Sequence, residues 1–128
     1  MTLRVLIVDD EDLIASSLRV FLEDEGMLVA SATSGEEAVE ILEKDQEFSV
    51  CVMDMRLPGM DGNATIRRIH ALNPAMRFII HTGSIDYRIP IDLQQLGIVP
   101  AHLFHKPLID MKPIADAIRK CTSGQYDK

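Results

Sequence analysis

Three carboxylates, a hydroxyl and an ammonium stand at or just beyond the ends of short apolar runs in this 128-residue chain. Asp9 and Asp10 follow the run Leu3 to Val8, Asp54 follows Val50 to Met53, Thr82 follows Phe78 to Ile80, and Lys106 follows Leu103 to Phe104. Carboxylates crowded together repel, and one of them must take up a proton unless a cation joins them. Mg²⁺ suits such a cluster, because it prefers oxygen donors, keeps several waters and is held by one or two carboxylates while a phosphate completes its shell. Three carboxylates set against the metal and the Lys106 ammonium give −3 and +3, so a phosphoryl group can approach. A carboxylate can then attack phosphorus and form an acyl phosphate. Lys106 would offset charge on the phosphoryl oxygens, and the Thr82 hydroxyl would donate a hydrogen bond to one of them. Each residue also has an ordinary alternative. Asp9 or Asp10 can cap a helix, Asp54 can open the turn from Arg56 to Gly59, Thr82 can bond backbone, and Lys106 can be a surface lysine. Their joint occurrence at four strand ends favours the chemical reading.

Convergence of these groups requires strands that all end on one edge. The apolar runs, with Leu28 to Ala32 as the second, are short and rich in branched residues, as strands buried on both faces should be. Helical patterns lie between them: Leu13, Ile14, Leu18, Phe21 and Leu22 on one face, then Ser34 and Glu37 as a capping box before Ala38, Ile41 and Leu42, then residues 61 to 72. Pro90, Gly97 and Pro100 leave room for only a short fourth helix, about Pro90 to Leu96. Ile114, Ala117, Ile118 and Cys121 mark a fifth at helical spacing. The alternation predicts one α/β domain with a five-stranded parallel sheet, over residues 1–122, and a polar tail over 123–128. In such sheets ligands bind beyond the carboxyl ends of the strands, where the polar residues stand.

Composition narrows the function classes. Thirteen basic residues against 20 acidic give a formal charge of −7, which disfavours nucleic acid or an anionic membrane as a partner of this segment. The opening apolar run is interrupted by Arg4 and ended by Asp9, too short for a signal peptide or membrane span, so a cytoplasmic location is expected. Cys51 and Cys121 have no Cys-x-x-Cys spacing and read as buried thiols in a reducing compartment.

Taken in order, Val8-Asp9-Asp10, Met53-Asp54 with Leu57-Pro58-Gly59-Met60-Asp61-Gly62, Thr82-Gly83 and Lys106-Pro107 closely resemble the receiver (CheY-like) domain of two-component response regulators, over nearly the whole chain. The resemblance implies a doubly wound, flavodoxin-like sheet of order 2-1-3-4-5 with five flanking helices. It implies that Asp54 accepts a phosphoryl group from the phosphohistidine of a sensor histidine kinase or phosphotransfer protein. Asp9, Asp10, Asp54 and the main-chain carbonyl of Arg56 would hold Mg²⁺. Thr82 would be the switch hydroxyl and Lys106 the phosphate-binding lysine, aimed by a cis bond before Pro107. Arg56 and Ser84 occupy the two positions that tune aspartyl-phosphate lifetime in the family, and a long cation at Arg56 would shield the acyl phosphate from water. The domain would be a phosphoacceptor switch and not an enzyme beyond promoting its own phosphorylation and autodephosphorylation. It would act on a downstream protein or output domain, and the family admits a phosphorylation-dependent homodimer through helices four and five.

One position departs from the family: the switch aromatic, three residues before the lysine, is Leu103, and Phe104 falls on the opposite face. That departure keeps a phosphate-independent pseudo-receiver as an alternative. A small aspartyl-phosphate phosphatase of the haloacid dehalogenase type is a second, disfavoured because Arg56 stands where its second aspartate belongs. His81 and His105 each precede a site residue, so alternation predicts that both turn away from the site and toward one another. Packed, hydrogen-bonded histidines under a helix are the plainer reading of this pair, and none of the four histidines, His70 and His102 included, is read as a ligand.

Overall fold

In the computed structural model, which describes residues 2–123, the five apolar runs become strands β1 (Arg4–Val8), β2 (Leu28–Ala32), β3 (Val50–Met53), β4 (Arg77–Thr82) and β5 (Leu103–His105). All pair in parallel in the order β2-β1-β3-β4-β5. Chain reversal between parallel strands needs a crossover, and five helices supply it. They are α1 (Asp12–Asp24), α2 (Gly35–Lys44), α3 (Gly62–Leu72), α4 (Ile91–Gln95) and α5 (Lys112–Thr122). The short α4 agrees with the proline and glycine spacing, and Pro100 begins a 3-10 turn, Pro100–His102, that leads into β5. The expected tail over 123–128 lies, Ser123 aside, outside the described residues.

Side chains alternate across the sheet. Leu6 and Val8, Cys51 and Met53, and Phe78 and Ile80 pack under α2, α3 and α4, with Leu103 against the same cluster. Val5, Ile7, Val50, Val52 and Ile79 pack under α1 and α5, with Phe104 on that side. The sequence reading separated Leu103 from Phe104 in the same way.

Local details correct several expectations. Leu13 is 84% exposed, because at 100° per residue it lies about 140° from Leu18 around the helix, outside the buried arc of Ala15, Leu18 and Leu22. Likewise Ala115 is buried on α5 where Ala117 is only partly covered. The α2 capping box is shared over two residues: Ser34 Oγ accepts from Glu37 N, but Glu37 Oε1 accepts from Thr33 N.

The β3–α3 loop sets the approach to the sheet edge. Leu57 is buried, Gly59 takes φ +72°, and Glu36 Oε2 accepts from Met60 N at 3.1 Å, tying the loop to α2. Asp61 then caps α3 by accepting from Ala64 N at 2.9 Å. At Gly62 the backbone passes so close that a Cβ would lie 2.5 Å from the Asp54 carbonyl oxygen and 2.7 Å from Met55 Cα. Backbone cannot yield as a side chain can, so Gly62→Ala should cost about 1–3 kcal/mol of stability, read as a lowered urea midpoint with an unchanged m-value.

Candidate functional site

Beyond the strand ends the alternation continues. Asp9 extends the side of Ile7, Asp54 that of Val52 and Lys106 that of Phe104, so all three turn toward the α1/α5 side of the sheet. Backbone pairing also runs one residue past the strands, with Asp9 N on Ala32 O at 3.0 Å, Asp54 N on Val8 O at 2.9 Å and Lys106 N on Thr82 O at 2.8 Å. These bonds fix the three side chains against one another. Lys106 Nζ lies 2.8 Å from Asp9 Oδ2 and 3.2 Å from Asp54 Oδ2, with the three side chains only 6%, 4% and 3% exposed. Asp54 and Lys106 line an open cleft of about 570 Å³ whose wall also includes Asp10, Arg56, Gly83 and Pro107, and Asp9 is paired to Lys106 beside it.

A residue that the sequence reading missed completes the group. Glu11 Oε1 is 2.7 Å from Lys106 Nζ, and Asp9, Glu11 and Asp54 bring carboxylate oxygens within 4.8 Å of one another. Asp10, expected in that cluster, is exposed in the cleft wall. Glu11 has extended backbone, at φ −92° and ψ 98°, after a bend at Asp10, and its carboxylate reaches Lys106 while Asp10 lines the same cleft outside the cluster. The acidic run after β1 includes Glu11 but does not specify that turn of the chain. Neither Asp9 nor Asp10 is the N-cap of α1; that position is Glu11, whose N–H donates to Asp9 Oδ1 at 2.9 Å.

The remaining candidates surround this group. Arg56 N donates to Asp54 Oδ1 at 3.3 Å, and Arg56 Nε donates to Ser84 Oγ at 2.6 Å, so the two residues expected to tune lifetime are bonded to each other. Thr82 is fully buried and its hydroxyl accepts from Ser84 N at 3.2 Å. The Lys106–Pro107 peptide is cis. Leu103 is half-buried against the α2–α4 side, where Tyr87, from the segment between β4 and α4, also packs. The Tyr87 hydroxyl donates to Asn63 Oδ1 at 2.6 Å, a contact that sequence reasoning did not anticipate. The two strand histidines do not face one another. His81 is in register with Phe104 on the α1/α5 side and is buried, whereas His105 is in register with Thr82 and is exposed. Thr82 and Lys106 themselves face opposite ways, so the residues before them do too.

Electrostatics follow from the ratio of charges. Burial alone would lower the pKa of Lys106, but hydrogen bonds to Asp9 and Glu11 and the charges of Asp9 and Asp54 outweigh it and hold the ammonium above its ordinary value. Burial pushes Asp9 up despite its bond to Lys106. His81 is driven down to about 4, first by burial and then by the Lys106 charge. Three carboxylates around one ammonium leave a net −2 on an all-oxygen donor set. That set fits a hard divalent cation, and the cleft would hold Mg²⁺ through Asp9 and its neighbours.

Comparison with known proteins agrees with this geometry. The sequence model of the response regulator receiver domain matches residues 5–119. Sporulation initiation phosphotransferase F of Bacillus subtilis is 32% identical over 120 residues, covering 94% of each chain. The alginate biosynthesis transcriptional regulatory protein AlgB of Pseudomonas aeruginosa is 36% identical over 96 residues. The chain spans about a fifth to a quarter of the length of that regulator (21%) and of ZraR of Escherichia coli (24%). Among solved structures, a response regulator receiver domain protein of Clostridium thermocellum superposes with TM-score 0.84 at 26% identity, covering 97% of both chains.

Two measurements test this electrostatic picture. Because Asp9 carries a charge that its burial opposes, Asp9→Asn should raise the thermal midpoint of the metal-free protein. The same variant should abolish the midpoint rise that Mg²⁺ produces in the wild type. His81 binds its proton more weakly folded than unfolded, so its contribution to stability is complete above about pH 6.5 and is lost as pH falls toward 4. The shift from 6.5 to about 4 corresponds to about 3 kcal/mol, so the urea stability of wild type should fall below that of His81→Leu by about that much more at pH 4 than at pH 7.

Proposed function

The chain belongs to the response regulator receiver family of two-component systems, and from that premise we propose that Asp54 accepts a phosphoryl group from the phosphohistidine of a sensor histidine kinase or phosphotransfer protein. The observation that carries this reading is the Lys106 ammonium, 3.2 Å from Asp54 Oδ2 and paired to Asp9, in a cleft open to a partner. An Asp54 oxygen attacks phosphorus, the P–N bond to the donor imidazole breaks, and the imidazole leaves with the bonding electron pair and takes up a proton. Lys106 neutralises charge gathering on the phosphoryl oxygens without reorganising, because its neighbours already hold it in place. Mg²⁺, when bound, supplies further positive charge there. Asp9 and Asp54, whose carboxylate oxygens lie within 4.8 Å of each other, would hold it, and Asp10 in the cleft wall and the Arg56 main-chain carbonyl are the further oxygen donors of this reading.

The buried Thr82 hydroxyl is the group that answers phosphorylation. It accepts from the Ser84 N–H at 3.2 Å, and its own proton would be donated to a phosphoryl oxygen. The consequence passes to a partner or an output domain. Both arrangements occur among the relatives: one matched nearly end to end is named a phosphotransferase, and the others are longer transcriptional regulators. The chain is in this reading a regulatory phosphoacceptor working in the cytoplasm, with residues 1–122 as the domain.

The decisive experiment is intact mass after incubation with acetyl phosphate and Mg²⁺. A single labile phosphoryl adduct should form, need Mg²⁺, and be absent from Asp54→Asn. A folded wild-type protein that gains no adduct and binds no beryllofluoride would be a phosphate-independent module instead. Arg56, bonded to Ser84 above Asp54, should slow hydrolysis of the adduct. Arg56→Ala should therefore shorten its lifetime by up to about tenfold, the worth of one good hydrogen bond, measured by the decay of the mass adduct after donor removal.

A further inference from the structure

We infer that Glu11 is a positioning residue that competes with the phosphoryl group for Lys106, and so sets how readily the acceptor is loaded. The inference deepens the phosphoacceptor reading and rests on it.

A lysine ammonium has three N–H donors. Here all three have carboxylate partners: Asp9 Oδ2 at 2.8 Å, Glu11 Oε1 at 2.7 Å and Asp54 Oδ2 at 3.2 Å. A phosphoryl oxygen arriving on Asp54 can bond Lys106 only if one of these is released. The Asp54 bond, the longest of the three, passes to one phosphoryl oxygen as the carboxylate charge is lost, so a second phosphoryl contact to Lys106 requires Asp9 or Glu11 to give way. Asp9 is the worse candidate, because it is 4% exposed and its other oxygen already holds Glu11 N. Glu11 differs, since its side chain is 54% exposed and its carboxylate can be rehydrated where it stands. Its side chain provides no N-cap bond to α1, so releasing Lys106 breaks nothing else there.

Position reinforces chemistry. Glu11 lines the cleft together with Asp54, Arg56 and Lys106, on the open side from which a phosphoryl group must come. Its negative charge therefore meets a dianionic group head on while occupying the cation that group needs. An ion pair with one partner exposed is worth up to about 1 kcal/mol, so its removal should matter by a few-fold and leave folding intact.

The test is beryllofluoride affinity at saturating Mg²⁺, by calorimetry or NMR titration, for wild type, Glu11→Gln and Asp12→Asn, with circular dichroism to confirm the fold. Asp12 is the charge control: its side chain is exposed one residue further on, in the first turn of α1. Glu11→Gln should bind about fivefold tighter than wild type, with Asp12→Asn unchanged. Equal or weaker binding by Glu11→Gln would show that its carboxylate serves the metal or nothing, and would overturn the inference while leaving the acceptor reading in place. An equal gain from Asp12→Asn would also overturn it, since bulk charge would then be the cause. A folded wild type that binds Mg²⁺ but no beryllofluoride would remove the acceptor reading, and this inference with it.

Discussion

The shortage of positive charge at the carboxyl edge of the sheet is the constraint on which the rest of this structure depends. Asp9, Glu11 and Asp54 converge on Lys106 alone, and two of the three carboxylates are almost wholly removed from water. A buried carboxylate without full compensation costs stability, and a protein keeps such a cost only where the surrounding structure enforces it. Enforcement comes from the backbone. Parallel pairing continues through Asp9, Asp54 and Lys106, so the side chains cannot relax apart without breaking the ladder at three strand ends. The same excess of negative charge, carried on oxygen donors alone, is what suits this edge of the sheet to a divalent cation.

Two-sided burial explains how so small a chain sustains this. Each strand donates alternate residues to cores under α2–α4 and under α1 and α5, and the interior of the sheet is apolar on both faces. Buried polar residues of the strands stand at or just beyond their ends, with His81 the exception among the described residues. It lies on the α1/α5 side, its Nε2 has no hydrogen-bond partner among the described residues, and its depressed basicity keeps it uncharged near Lys106. A protonated imidazole there would add a second buried cation, which the apolar layer disfavours more than the carboxylates reward.

Fold and site were legible to different degrees, for reasons that can be named. Strands of branched residues separated by helical spacing, with Pro90, Gly97 and Pro100 limiting α4, were readable because burial on both faces and proline geometry act locally. The residues Asp9, Asp54 and Lys106 were readable because each ends a run. Glu11 was not, because its carboxylate is brought to Lys106 by the bend at Asp10, a turn of the chain that the acidic run itself does not specify. His81 and His105 went wrong by strand parity. Their orientations depend on the register between β4 and β5, which sequence alone does not specify. Leu13 failed for a simpler reason, since an apolar residue near a helix start can lie off the buried arc.

Leu103 raises the question of how a change at Thr82 travels, and the polar contacts around Thr82 bear on it. The segment after β4 is tied to the β3–α3 region at three places: Ser84 to Arg56, the Tyr87 hydroxyl to Asn63, and Asp92 to Arg67 by a bidentate pair at 2.7 and 3.1 Å. Tyr87 also packs into the core on the α2–α4 side, where Leu103 lies. An aliphatic Leu103 has no hydroxyl to exchange between solvent and interior, so it cannot alternate between two hydrogen-bonded positions. The tyrosine with a hydrogen-bonded hydroxyl lies in the segment that begins at Thr82 itself, and its partner is at the start of α3. The polar bonds that tie the segment after Thr82 to the rest of the domain thus lie along the seam between α3 and α4, whereas Leu103 on β5 meets the same cluster through apolar contact alone, which has no fixed geometry to break.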